Sequence, residues 1–77
     1  MTRQTHYVVQ PIDRRGKRLI QAPSRQFTTE AEARRVGERQ GGKHVGLVVY
    51  SIEGDAEFDD WGEPKVLVAY GEVPENP

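Results

Sequence analysis

The stretch Gly37-Glu38-Arg39-Gln40-Gly41-Gly42-Lys43 has the G-x-x-x-x-G-K spacing of a loop that cradles nucleotide phosphates. In such a loop the next residue is Ser or Thr, whose hydroxyl reaches magnesium; here it is His44. The surroundings are also reversed. A phosphate loop follows a strand and opens a helix, so that N–H groups and the positive end of the helix dipole face the anion. This segment closes a predicted helix and opens a predicted strand, which turns carbonyl groups towards any ligand. Its glycines are expected to end the helix, with Lys43 favourable at the negative end of the dipole.

The second candidate is the acidic run Glu53, Asp55, Glu57, Asp59, Asp60 and Glu63. Aligned as a calcium loop, Asp55, Glu57 and Asp59 take the first, third and fifth positions. The sixth should be glycine and is Asp60, and the twelfth should be glutamate and is Val66. A solvated acidic loop without a specific metal is the expectation. His6 and His44 have no ligand spacing. The absence of cysteine removes thiolate zinc sites, disulfides and cysteine nucleophiles. Ser24 and Ser51 lie in no nucleophile context, and the adjacent carboxylates Asp59 and Asp60 point apart. No catalytic residue, no cofactor and no enzyme activity are expected.

Basic residues are the third candidate. Arg14, Arg15, Lys17 and Arg18 cluster at the tip of a predicted hairpin, Arg25 follows, and Arg34, Arg35 and Arg39 run along the outer side of a predicted helix. The net charge of -1 hides a split: residues 1–43 hold ten basic and four acidic residues (+6), residues 44–77 one basic and eight acidic (-7). A β-ribbon with arginines fits a major groove, with the remaining cations on phosphate. The basic hairpin followed by Phe27-Thr28-Thr29-Glu30-Ala31-Glu32-Ala33 has a partial resemblance to the arm-type DNA-binding domains of phage integrases. It covers about half of the chain and rests on a helix-start pattern shared by many small α+β domains. The nucleic-acid contacts expected from the basic cluster itself are Arg14, Arg15, Lys17, Arg18 and Arg25. The acidic second half departs from the resemblance, because phosphate is repelled unless those acids lie far from the tip. The preferred reading is internal: in a domain this small the two halves touch and neutralise each other.

The elements that would position these groups follow from pattern. Seventy-seven residues, 35% of them hydrophobic, make one domain with a small core and no deep cavity. No apolar run approaches the ~20 residues of a membrane span. The first six residues lack the apolar stretch of a secretory signal, so a cytoplasmic domain is expected. Residues 1–5 and 72–77 are expected to be loosely held. Residues 7–12 read as a strand that Pro11 confines to a sheet edge or ends early. Gly16 turns the chain, 18–22 return, and Pro23 stops the strand. Thr29 with Glu32 three residues later is a capping box. The helix it opens runs to about Gln40, with Ala33, Val36, Gly37 and Gln40 inward and Phe27 anchoring its start. Residues 44–52 and 65–71 are strands, separated by the loop 53–64. The fold class is α+β, in the order β-β-α-β-β: an antiparallel sheet of about four strands with one helix packed on one face.

The last two strands carry the functional expectation. Alternation puts Val45, Leu47 and Val49 on one face and Val48, Tyr50 and Ile52 on the other; Val66, Val68 and Tyr70 likewise oppose Leu67 and Ala69. A strand with a wet face should alternate apolar with polar, and these do not. One short helix covers one face only. The second face needs a cover: the loop through Phe58 and Trp61, or a second chain. The expected function is a small non-catalytic interaction module forming a homodimer through Val48, Tyr50, Ile52, Leu67 and Trp61. Nucleic-acid binding by the 14–18 hairpin is the alternative, and a small-ligand site under loop 53–64 is the third.

Overall fold

A computed structural model describes residues 4–55 and 60–73. Two long antiparallel strands form the spine, β1 (Gln4–Arg15) and β4 (Gly46–Asp55), registered from Gln4 opposite Gly54 to Ile12 opposite Gly46. Each is flanked by two short strands. β2 (Arg18–Gln21) and β3 (Arg25–Phe27) pair with successive parts of β1; β5 (Asp60–Trp61) and β6 (Lys65–Gly71) pair with β4. One helix, α1 (Glu30–Gln40), lies on one face. The α+β class and the helix on an antiparallel sheet are as the pattern predicts. β3 and β5 are additions, too short to leave a period in the sequence. β1 starts at Gln4, so Gln4 and Thr5 are paired sheet residues rather than loose ones.

α1 starts as its cap demands: the Thr29 hydroxyl accepts the N–H of Glu32 at 3.3 Å. Its inward stripe is Ala33, Val36, Gly37 and Gln40. Ala33 packs with Val9, Leu47 and Val49, and Phe27, Val36, Val68 and Tyr70 surround this core. The end of the helix differs from expectation. Gly41 stays right-handed (φ -55, ψ -33), and residues Gly41–Lys43 continue as a 3-10 turn, so no left-handed glycine cap forms.

Pro11 is the main correction. It is buried within β1, which is an interior strand and not an edge. The missing N–H costs little because of where it points. Ala22 N–H donates to the Pro11 carbonyl at 3.0 Å, so the polar groups of Pro11 face the gap between β2 and β3. In a regular antiparallel pair the Ala22 carbonyl would receive the returning N–H. The Gln10 side-chain amide donates to it instead, at 2.6 Å, and also to the Pro11 carbonyl at 2.9 Å. Gln10→Leu should leave the Ala22 carbonyl without this donor and cost about 1–2 kcal/mol, read as a lower urea midpoint at unchanged slope. A stability equal to wild type would show that the amide contributes no more than water does.

β6 carries the second correction. Val49 opposes Val68 but Tyr50 opposes Val66, so Leu67 is an extra residue in a bulge. Leu67 therefore joins Val68 against the helix-side core, and Val66 takes the place on the helix-free face that alternation assigns to Leu67.

Candidate interaction surfaces

The helix-free face of β4 reads Gly46, Val48, Tyr50, Ile52 and Gly54, every second residue. The two glycines decide how much of this face stays open. A Cβ on Gly46 would lie 1.6 Å from the backbone oxygen of Glu72, so the chain after β6 runs through the space a side chain would fill. Glu72 N–H is held by the Val45 carbonyl at 2.9 Å. Gly71, opposite Gly46, takes φ +65 to make this path. Ile12, the cross-strand partner of Gly46 on the same face, is only 2% exposed although no helix covers it. At the other end a Cβ on Gly54 would lie 2.6 Å from Cε3 of Trp61. The Trp61 ring stands over that glycine and against His6, with centroids 5.3 Å apart.

Both ends of the helix-free face are thus covered from within the chain, and in its middle Val8, opposite Tyr50, is buried as well at 3% exposure, so the opening lies towards β6. Val48, Tyr50 and Ile52 are half-buried, Ala69 is exposed, and Val66, opposite Tyr50, is 61% exposed. Trp61, 36% exposed, borders the patch. Of the five residues expected at the interface, Val48, Tyr50 and Ile52, nominated by alternation, and Trp61, from the loop, share this face. Leu67 does not, for the bulge reason given above, and Val66 is the residue the sequence reading missed. Phe58, the other expected roof, and the middle of loop 53–64 lie outside the described residues.

The basic candidates divide. Arg14, Arg15, Lys17 and Arg18 stand exposed around the two-residue turn Gly16-Lys17, where Gly16 takes φ +64. Arg15 is directly opposite Arg18, a like-charged cross-strand pair that disfavours the hairpin. Arg14 forms an ion pair with Glu72, a contact between the basic and the acidic half. Arg25 is not part of the cluster. It lies opposite Val9, its guanidinium 5.3 Å from the centre of the Phe27 ring. On the helix, Arg34 pairs with Glu30 at 2.7 Å.

Acidic residues gather at the far end of the spine. Asp55 is buried and opposes Asp60; Glu53, Asp60 and Glu63 are exposed. Counted along the register, Arg15 lies six residues beyond Val9, and Asp55 six residues beyond its partner Val49 in the opposite direction. Twelve residues at ~3.3 Å each separate the basic tip from the acidic end by roughly 40 Å.

The remaining chemical candidates dissolve into packing. Gly37 is buried on the inner side of the helix, and a Cβ there would lie 2.6 Å from Val49 Cγ2, so this glycine serves close approach of helix and sheet. His44 Nδ1 and Asp13 Oδ1 are 2.7 Å apart near one end of β1, whereas His6 opposes Ile52 near the other. Ser51 opposes Tyr7, away from the His44–Asp13 pair. Among the described residues no group of three His, Asp or Glu side chains is placed to hold a metal ion. Among the same residues no helix is long and apolar enough to cross a membrane. Comparison with protein-family models, curated proteins and solved structures gives no match.

Proposed function

We propose that the protein is a non-catalytic interaction module that pairs with a second copy of itself through the middle of its helix-free sheet face. The observation that carries this reading is Val66, 61% exposed on an edge strand beside Tyr50, Ile52 and Trp61. A contiguous apolar patch on a small domain marks a contact site, and aromatic residues at its centre are the usual anchors of an interface. The covered ends of the face support it too: both glycines of β4 admit a cover, and with Val8 also buried the exposed apolar surface gathers at Val66 and Ala69 on β6.

Sedimentation equilibrium at tens of micromolar, where a micromolar interface is filled, should give the mass of two chains. Val66→Asp should give the mass of one. Its own stability should stay within about 0.5 kcal/mol, because the site is exposed. A wild-type mass of one chain at that concentration contradicts the proposal.

One observation favours a second reading, contact of the basic tip with a nucleic-acid backbone. The acidic end is roughly 40 Å away, several times the ~8 Å Debye length of physiological salt. Phosphate at the tip is therefore not repelled by it. In this reading mixed-sequence duplex DNA binds with an affinity that falls steeply with salt, and Arg15→Glu with Lys17→Glu abolishes the binding. Fluorescence anisotropy of labelled duplex measures both; affinity unchanged by the double variant removes the reading.

A further inference from the structure

We infer that the β1–β2 ribbon enters the major groove of B-form duplex DNA by its tip, with Lys43 set against the phosphate backbone at the rim of the groove. This mode of contact rests on the second reading above, in which the basic tip meets a nucleic-acid backbone. It goes beyond that reading by fixing the form of duplex, the depth of entry and a contact residue on a different element.

The sheet narrows abruptly towards the tip. At the row Ile12–Gly46 it is four strands wide, since Ile12 also pairs with Gln21 and Gly46 with Gly71. The outer two of four strands stand ~14 Å apart, more than the roughly 12 Å of the major groove. Beyond this row β1 has no further partner on β4, and residues 13–15 continue paired with 18–20 of β2. This two-stranded part runs three residues past the row to Arg15, ~10 Å, against a groove depth of roughly 8.5 Å. A two-stranded ribbon fits the groove, and the wide sheet behind it stops at the rim. The major groove of an A-form RNA duplex is too narrow for the same entry.

Charge follows the same geometry. Asp13 and Arg15 stand four and six residues beyond Val9 on β1, hence on the helix-covered face, and Arg18 joins them opposite Arg15. On that face His44 Nδ1 meets Asp13 Oδ1 at 2.7 Å, which pins the end of the 3-10 turn Gly41–Lys43 to the base of the ribbon and brings Lys43 beside it. Arg15, Lys17, Arg18 and Lys43 are exposed, and among the described residues none of them forms an ion pair. Two acidic residues at the base are engaged already, Asp13 by His44 and Glu72 by Arg14. The opposed pair Arg15–Arg18 repels itself in the free protein, and phosphates along the two walls of a groove offset that repulsion. The apex, residues 15–18, reads Arg-Gly-Lys-Arg and has no apolar side chain to place in a lipid interior.

Fluorescence anisotropy with two labelled duplexes of one mixed sequence, DNA and RNA, tests the inference. The wild-type chain should bind the DNA about tenfold more tightly or better. Arg15→Gln with Arg18→Gln should bring that ratio close to one. Lys43→Gln should weaken DNA binding about fivefold at 100 mM salt and lower the slope of log affinity against log salt by about 0.9, one phosphate contact. Arg25→Gln should change neither, because Arg25 is level with Val9, roughly 20 Å from Arg15. Circular dichroism checks that each variant folds. Equal affinity of the wild-type chain for the two duplexes overturns groove entry while leaving backbone contact intact. An unchanged salt slope in Lys43→Gln overturns the placement of Lys43. Tighter binding to phosphatidylserine vesicles than to the DNA overturns nucleic acid as the partner, and no binding of either duplex at about 50 mM salt overturns the inference and the reading together.

Discussion

Replacing Gly46 by valine is expected to cost about 3 kcal/mol and to strip the chain after β6 from the sheet. The Cβ would fall 1.6 Å from the Glu72 carbonyl oxygen, and backbone cannot step aside as a flexible side chain does. Overpacking ordinarily costs about 1–3 kcal/mol. Here the displaced segment also takes with it the Glu72–Val45 hydrogen bond and the Arg14–Glu72 ion pair, and it uncovers Ile12. For a domain of this size such a loss lowers the melting temperature by roughly 12–24 °C. Gly42→Ala is the control, since a Cβ there meets nothing within 4 Å. Thermal melts of the two variants within about 2 °C of each other would mean that Glu72 does not occupy the space beside Gly46.

Leu47→Ala should be comparably severe. Leu47 is fully buried and sits with Val9, Val49 and Ala33 at the contact of sheet and helix. Leu→Ala in such a place removes transfer free energy and leaves a cavity, at about 2–5 kcal/mol. The surroundings here have little freedom to close it. Gly37 has no side chain to extend, and the helix already lies as near to Val49 as a glycine allows. Against a total of about 5–15 kcal/mol for domains in general, the change should leave the chain partly unfolded near 37 °C. Leu67→Ala, at the half-buried bulge position, should cost less than half as much. Urea denaturation followed by far-ultraviolet circular dichroism compares them; equal midpoints for the two alanine variants would remove Leu47 from the centre of the core.

Neither variant tests the proposed pairing, because both act within one chain. The association experiments do so separately, through Val66, whose exposure makes it a poor contributor to folding and a good one to contact.

Much of the architecture is legible in local chemistry. Thr29 and Glu32 announce the start of α1, and the small residues Ala33 and Gly37 announce its close approach to a sheet. The strand at 65–71 shows as the apolar run Val66 to Tyr70, with the same bounds that the structure has. The hairpin turn is readable from Gly16. Local chemistry misplaces Pro11 because the ban on interior proline concerns a missing donor. Gln10 supplies a donor from its side chain, and that geometry exists only once Ala22 has come alongside. It also misplaces Leu67, since a bulge is a property of two paired strands and β6 alone carries no sign of it.

The interaction surface divides along the same line. Alternation in residues 44–52 determined by itself that Val48, Tyr50 and Ile52 share a face opposite Val45, Leu47 and Val49, because side-chain direction in a strand is a local consequence of the pleat; that the helix covers the second set is a tertiary fact. Composition likewise determined that the first half is basic and the second acidic. Only the tertiary structure decided that the arginine tip stands at the opposite end of the sheet from Glu53, Asp55 and Asp60 while Glu72 returns to Arg14, that Gly46 and Gly54 admit covers over the two ends of the face, and that Val66 is exposed between them. These depend on which residues come into register across β1, β4 and β6, and register joins positions distant in the chain, which no local pattern encodes.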